Sequence, residues 1–394
     1  MGLASRLMQR RFLTSLEGIR KGRLCLTTPE GRVHHFGDEG AEVELHIHDW
    51  AVLSRMAARG DVGLGEAWIE GQWFTPSLEA LLTLAIRNLD HLSEWANAGI
   101  LSRLRMRITD QVLRLNSLRG SSRNIRAHYD VGNEFYQLWL DPGMTYSSAI
   151  FAPGEDDLEQ AQARKNARIL SQLGHGETVL EIGCGWGGFA EAAADHGRQV
   201  TGLTLSHQQK GYADARLDGR AQIRLQDYRH VQGRFANIVS VEMIEAVGER
   251  YWPIYFATLK ARLAEGGRAV LQAITIPDAE FSIYRKRSDF IRQHSFPGGM
   301  LPCNAVIARE AARAGLVLRD TFAFGQDYAR TCRIWAERML TERDRIRRYG
   351  YDEQFIRAWQ FYLEACAATF ATKRTDVVQI TLSHASEVHP APPR

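Results

Sequence analysis

No apolar run in the 394 residues approaches the ~18 uninterrupted positions that a membrane-spanning helix requires, so no transmembrane segment is expected. The opening stretch, MGLASRLMQRRFLTSLEG, has arginines breaking up its apolar clusters and lacks a hydrophobic core leading to a small-residue cleavage site. That pattern argues against secretion and for a cytoplasmic protein. Cysteine is sparse. Cys25, Cys184, Cys303, Cys332 and Cys366 are scattered, odd in number and without CxxC spacing, which argues against a disulfide framework or a zinc site and leaves no metal expected. Charge is nearly balanced, 49 Lys and Arg against 46 Asp and Glu for a net +3, so the total does not call for a nucleic-acid partner. Internal repeats are absent as well.

What is present is an ordinary globular composition, 45% hydrophobic and 24% charged. The chain is too long for one core, since single cores stop growing near ~250–300 residues, and two domains are expected. From Gly22 to about Asp61 short β-like runs alternate with turns; in AEVELHIHD, Val43, Leu45 and Ile47 alternate with polar neighbours. Leucines at helical spacing follow Ser77, a candidate N-cap. Residues 1–95 therefore read as a small α+β unit. Residues 96–127 read as a basic linker, in which Arg103, Arg105, Arg107, Arg114, Arg119, Arg123 and Arg126 face the single acid Asp110. This segment is either a solvated helix and linker or a surface for anionic lipid, where each basic residue contributes up to ~1 kcal/mol.

Beyond it, HYDVGNEFYQLWLDPGMTYSSAIF is dense in aromatics, and EDDLEQAQARKNARILSQLG is an amphipathic helix. Strand, glycine turn and helix then recur through ETVLEIGCGWGGFAEAAADHG, RQVTGLTLSHQQKGYADARL, FANIVSVEMIEAVG and GGRAVLQAITI, which predicts a mostly parallel sheet wrapped by helices over residues 128–382. The tail, residues 383–394, reads as disordered.

The strongest local signal is VLEIGCGWGG, Val179 to Gly188. Gly183, Gly185 and Gly187 let the backbone approach a ligand at a helix N-terminus, as dinucleotide sites also do. A nicotinamide site would carry GxGxxG and an acid ending the second strand; here the spacing is GxGxG, preceded by Glu181, and the second strand ends at Thr204. Glu181 is placed to hold the ammonium of a methionine by a charge-assisted hydrogen bond. S-adenosylmethionine is the expected ligand; a structural glycine turn or another nucleotide is the alternative.

EIGCGWGG, GLTLSHQQ, LQDYR, FPGGMLP and FGQDYARTCRIWAER together resemble the cyclopropane-fatty-acyl-phospholipid synthase family, over about His128 to Leu382. The N-terminal unit resembles, more weakly, the lipid-associated domain of its longer bacterial members. The resemblance implies a Rossmann-like methyltransferase core, S-adenosylmethionine as donor and an unsaturated phospholipid as substrate. It also implies peripheral association with the inner membrane face, and leaves a homodimer open. It implies donor contacts at Tyr146, Ser147, Gly183, Gly185, Thr204, Gln209, Asp227 and Tyr228. Ser147 capping a turn, Thr204 ending a strand and Tyr228 packing a helix are the structural alternatives.

An alkene is a weak nucleophile, so such an enzyme must position it against the methyl group and tolerate a developing cation. Aromatic faces can do that, and both HYDVGNEFYQLW and FIRAWQFYLEACAATF supply them, with packing in the core as the structural alternative. A base must then remove a proton. The resemblance implies a bicarbonate ion held by a cysteine, a glutamate, a histidine and a tyrosine. Glu245 and Tyr328 stand at two of these places; Ser148 replaces the cysteine, Gln272 the histidine, and Ala246 a further histidine. Glu242 stands where the family often has glycine, three residues before Glu245 and so expected on the same side of a helical turn. Two carboxylates in one apolar cleft separate into an acid and a base, and Glu242 is the candidate replacement for bicarbonate; a solvated or ribose-contacting carboxylate is the alternative. The expected product is a cyclopropane acyl chain. A methyl-branched, still unsaturated chain is the alternative, and an inactive lipid-binding module would require a broken donor turn.

Overall fold

The computed structural model describes residues 3–91 and 131–385, so the basic segment, His128–Asp130 and residues beyond Ala385 lie outside the described residues. The chain divides into two compact units. The first takes residues 1–113 together with 286–297 and 332–374; the second takes 114–285, 298–331 and 375–394. Three excursions of the chain thus build the first unit.

In the first unit, β1 (Arg23–Thr27), β2 (Val33–Phe36), β3 (Glu42–Ile47) and β4 (Trp73–Phe74) form a sheet in the order β2-β1-β3-β4. The alternation read at Val43, Leu45 and Ile47 lies on β3. Ser77 caps the helix Leu78–Arg87, its side chain accepting from the Ala80 N–H. Against these pack the helices Ala51–Arg59 and Asp61–Ile69 and the long helix Glu353–Ala371. Leu26, Leu53, Trp68, Trp73, Phe290 and Phe361 lie in its core. The Arg357 guanidinium stacks 4.3 Å from the Trp68 ring centroid, and the Trp68 indole donates to the Arg357 carbonyl. The aromatic run FIRAWQFYLEACAATF therefore belongs to this unit. Cys25, His35 and Glu42 also converge across its sheet, with Glu42 accepting from Arg23 and His35.

In the second unit β5 (Thr178–Ile182), β6 (Gln199–Thr204), β7 (Gln222–Leu225), β8 (Phe235–Val241), β9 (Leu263–Thr275), β10 (Leu316–Ala323) and β11 (Asp376–His384) form a sheet in the order β10-β11-β9-β8-β5-β6-β7. β7, β6, β5, β8 and β9 pair in parallel; β11 and β10 are antiparallel. Sequence order reverses between β6 and β8, on either side of β5, and ligands of open α/β sheets bind at the carboxyl ends of strands at such a switch. The helix Leu158–Gln172 begins at its Asp157 cap and buries Leu158, Ala161 and Ile169. One expectation is corrected here: Ser383 and His384, read as disordered tail, are buried ends of β11 paired with Val317 and Leu316.

Candidate active site

At the carboxyl end of β5 the chain turns through Gly183, Gly185 and Gly187, all at positive φ (82°, 52° and 86°), and enters the helix Gly188–Asp195. A Cβ at Gly183 would stand 2.3 Å from the Met243 side chain, so only glycine fits. A Cβ at Gly185 meets nothing within 4 Å. Glu181, the fourth residue of β5, is buried, and its Oε2 has no hydrogen-bond partner. Burial pushes its carboxyl up to about 8, against the opposing charge of Lys165. An open glycine cradle beside a buried, unsatisfied carboxylate suits a ligand carrying an ammonium. The donor set fits S-adenosylmethionine.

The other expected donor contacts fall into two groups. Thr204 ends β6 and donates to Gln209 Oε1 at 2.8 Å, with both side chains buried. Tyr146 lies 5.7 Å from Tyr136 and 5.6 Å from Trp139, centroid to centroid, and Tyr136 lies 4.9 Å from Trp186 of the glycine turn. The segment HYDVGNEFYQLW thus supplies an aromatic wall beside the turn. Ser147 is buried and its hydroxyl accepts from Lys165 Nζ at 3.2 Å. Asp227 and Tyr228 are more committed. Asp227 accepts three hydrogen bonds from Arg229, and although burial opposes it, these hold its carboxyl below its ordinary value. Tyr228 packs edge-on against Tyr255 in the core, and its hydroxyl has no partner.

The candidate acid–base residues meet at the carboxyl ends of β8 and β9. Glu242 follows β8 with φ 52°, a left-handed backbone that costs a non-glycine residue roughly 1–2 kcal/mol. It therefore precedes the short helix Ile244–Val247 instead of sharing a helical turn with Glu245. The same φ explains why glycine suits this position. Its carboxylate accepts from Ser148 N at 2.9 Å, Gln272 Nε2 at 2.7 Å and the Tyr328 hydroxyl at 2.7 Å. The Ser148 hydroxyl instead donates to the Ala149 carbonyl, so residue 148 contributes its backbone. Thr331 Oγ1, on the same helix as Tyr328, accepts from Ala149 N at 3.2 Å and pins this loop.

Glu245 accepts from the Ile274 N–H through one oxygen, and its other oxygen is buried without a partner. Burial, reinforced by the charge of Glu242, pushes it up to about 8. Burial also raises Glu242, but the hydrogen bonds from Tyr328, Ser148 and Gln272 and the charge of Lys165 work against that. Hydrogen bonds to the charged form favour it, and the three donors to Glu242 support its charged form more than the Ile274 N–H supports that of Glu245.

Lys165 was not singled out by its sequence. Fully buried, it is brought down to about 8 by burial against the pull of Glu242, Asp141 and Glu181. Its signal is positional: a lysine on the face of the helix that also buries Leu158, Ala161 and Ile169. Gln379 was also missed, because nothing in DVVQITLSH marks a strand glutamine as functional before its neighbour across the sheet is known.

Residues 116–380 match the family described as mycolic acid cyclopropane synthetase. The tuberculostearic acid methyltransferase UfaA1 of Mycobacterium tuberculosis is 37% identical over 86% of this chain and 82% of its own length. The cyclopropane-fatty-acyl-phospholipid synthase of Escherichia coli is 32% identical over 88% of this chain and 89% of its own. Among solved structures, mycolic acid cyclopropane synthase CmaA1 complexed with SAH and CTAB aligns with TM-score 0.62 at 27% identity, over 66% of this chain and 97% of that one. Coclaurine N-methyltransferase, at 15% identity and TM-score 0.63, shares the fold. A glycine cradle at the sheet's switch point, in a chain similar to these enzymes along most of its length, has one consistent reading: the chain belongs to the mycolic acid cyclopropane synthetase family and is an S-adenosylmethionine-dependent methyltransferase.

Proposed function

We propose that this enzyme adds one carbon to the double bond of an unsaturated phospholipid acyl chain, closing a cyclopropane, and that Glu242 takes the proton released. S-adenosylmethionine, when bound, supplies an electrophilic methyl group; Glu181 would hold its ammonium and the turn at Gly185 would lie against it. The alkene π pair would form the new carbon–carbon bond as the bond from the methyl carbon to sulfur breaks, the sulfur keeping that electron pair and leaving as a thioether, with a cation left on the adjacent carbon. A C–H bond of the delivered methyl then breaks, its electron pair closes the ring, and the proton goes to a base.

The observation that carries the assignment is the set of three donors on one carboxylate. Ser148 and Tyr328, with Gln272 in the histidine's place, stand at positions the family resemblance assigns to bicarbonate, and all three donate to Glu242. Their hydrogen-bonding capacity is taken by a carboxylate already in the chain, so these residues do not fit an added bicarbonate. Wild-type enzyme is therefore expected to turn over at nearly the same rate in buffer stripped of carbon dioxide. Glu242→Gly is expected to lose activity, to regain it with added bicarbonate, and to melt at a temperature that rises with bicarbonate while the parent's does not. A wild type that stops without bicarbonate overturns the assignment.

A second reading is favoured by the 37% identity to a tuberculostearic acid methyltransferase. If a hydride shifts onto the cationic carbon, the charge moves to the methyl-bearing carbon, and proton loss gives a methylene- or methyl-branched chain. Fatty-acid mass spectrometry and NMR from cells fed a trideuteromethyl donor separate the products. Ring and methylene both retain two deuteriums, and of these two only the methylene shows olefinic carbons, with its deuteriums on one of them; a methyl-branched alkene retains three.

A further inference from the structure

A row of side chains crosses the sheet behind Gln272. β9 and β11 pair with Gln379 directly opposite Gln272, and β10 and β11 pair with Phe322 opposite Gln379, so the three share one face of the sheet. Arg168, on the helix Leu158–Gln172, lies over this row, its guanidinium carbon 4.3 Å from the Phe322 ring centroid. It donates through Nη2 to Asp320 Oδ2 at 2.7 Å and through Nη1 to Gln379 Oε1 at 2.9 Å. Gln379 Nε2 donates to Gln272 Oε1 at 3.0 Å, and Gln272 Nε2 donates to Glu242 Oε1 at 2.7 Å. Both glutamines are buried, so no solvent competes for these groups.

The direction of this chain follows from its first member. The two ends of an amide are nearly the same shape, and a flipped Gln272 would present its oxygen to the Glu242 carboxylate. A guanidinium has donors and no acceptor. Arg168 must therefore meet the oxygen of Gln379, which leaves the Gln379 N–H2 to donate, which in turn claims the Gln272 oxygen. Only the Gln272 N–H2 remains for Glu242. We propose that Arg168 and Gln379 are positioning residues that hold the Gln272 amide as a hydrogen-bond donor to the Glu242 carboxylate, an assignment resting on the reading of Glu242 as the proton acceptor. Where a cationic histidine would present a donor in either orientation, a glutamine needs its orientation enforced.

The test reads the ionisation of Glu242 directly, by carbon NMR of enzyme labelled at glutamate side-chain carboxyls, with Glu242→Gln assigning the resonance. Gln379→Glu places an acceptor opposite the Gln272 oxygen; the Gln272 N–H2 then turns towards it, and Glu242 is left facing an oxygen. Its titration midpoint is expected to rise by at least one pH unit, a tenfold loss of ionised base at a given pH, and the acidic limb of kcat/KM should rise with it. Donor affinity, measured by calorimetry, is expected to change less than about twofold, because the glycine turn is untouched. Arg168→Met frees Gln379 to flip and should shift the midpoint in the same direction, whereas Arg168→Lys, still a donor only, should restore it. The charged and titratable groups facing Glu242 are Lys165, Tyr328 and Glu245, and none is altered in these variants. Arg168 is partly exposed, so its variants decide the matter if Gln379→Glu does not fold. An unmoved Glu242 midpoint in folded Arg168→Met overturns the proposal. The midpoint is read without turnover, so this failure is distinct from bicarbonate dependence of the wild type, which would overturn the reading of Glu242 instead.

Discussion

Two residues of the site divide the labour between space and charge. At Gly185 the backbone is left-handed and a Cβ would meet no protein atom, so the volume it would enter is the cradle where the donor is proposed to lie. Gly185→Val is expected to abolish donor binding in calorimetry while lowering stability only by the roughly 1–2 kcal/mol of a non-glycine left-handed residue. Undiminished binding would move the donor elsewhere. Glu245 has the opposite problem, a charge it does not carry. Its carboxyl is raised from its ordinary 4.5 to about 8, first by burial and then by Glu242. The folded state thus holds a proton that the unfolded state releases, and this contribution to stability is complete below 4.5 and declines as pH rises through 8. Glu245→Gln cannot ionise, so urea denaturation at about pH 5.5 and about pH 8.5 should show a smaller loss than in the parent. Its activity should fall by ~10²–10⁴, as removal of an acid–base group does.

The elements show where local pattern suffices. Ser77 was legible as an N-cap because a hydroxyl before a helical leucine pattern satisfies an otherwise orphan N–H, and it accepts from Ala80 N. Ser77→Ala is expected to cost about 1 kcal/mol in denaturant titration of the whole chain. Equal stability would mean the cap contributes nothing. The end of β11 was not legible. Ser383 and His384 are polar and adjoin a proline-containing tail, so composition favoured disorder; backbone pairing with β10 and burial under neighbouring elements made them strand instead. The aromatic run FIRAWQFYLEACAATF lies on the helix Glu353–Ala371, where its rings were candidates for facing a cation, with core packing as the other reading. Phe361 instead stands in the same core as Phe290, where Gly65 leaves it room.

For the whole molecule, no helix among the described residues is long and apolar enough to cross a bilayer. The basic segment lies outside the described residues, and its role rests on its sequence. Replacing Arg103, Arg105 and Arg107 together with glutamine is expected to weaken flotation with anionic vesicles and make the remainder less salt-sensitive. Unchanged binding at low salt would make the segment an ordinary linker.

The sequence by itself determined the fold class and marked Gly183, Gly185 and Gly187 behind Glu181 as a candidate donor turn, because helical period, strand alternation and residue spacing are local properties that need no distant partner, while the family followed from the resemblance of motifs such as EIGCGWGG and FGQDYARTCRIWAER. It also singled out Glu242, Glu245, Ser148, Gln272 and Tyr328. Tertiary structure decided how they meet. The left-handed turn at Glu242 aims one carboxylate at three donors, and the register of β9, β10 and β11 aligns Phe322, Gln379 and Gln272 under Arg168. Register and the sign of φ depend on which strands lie side by side, and a strand glutamine reads the same on paper whether its neighbour is solvent or another amide.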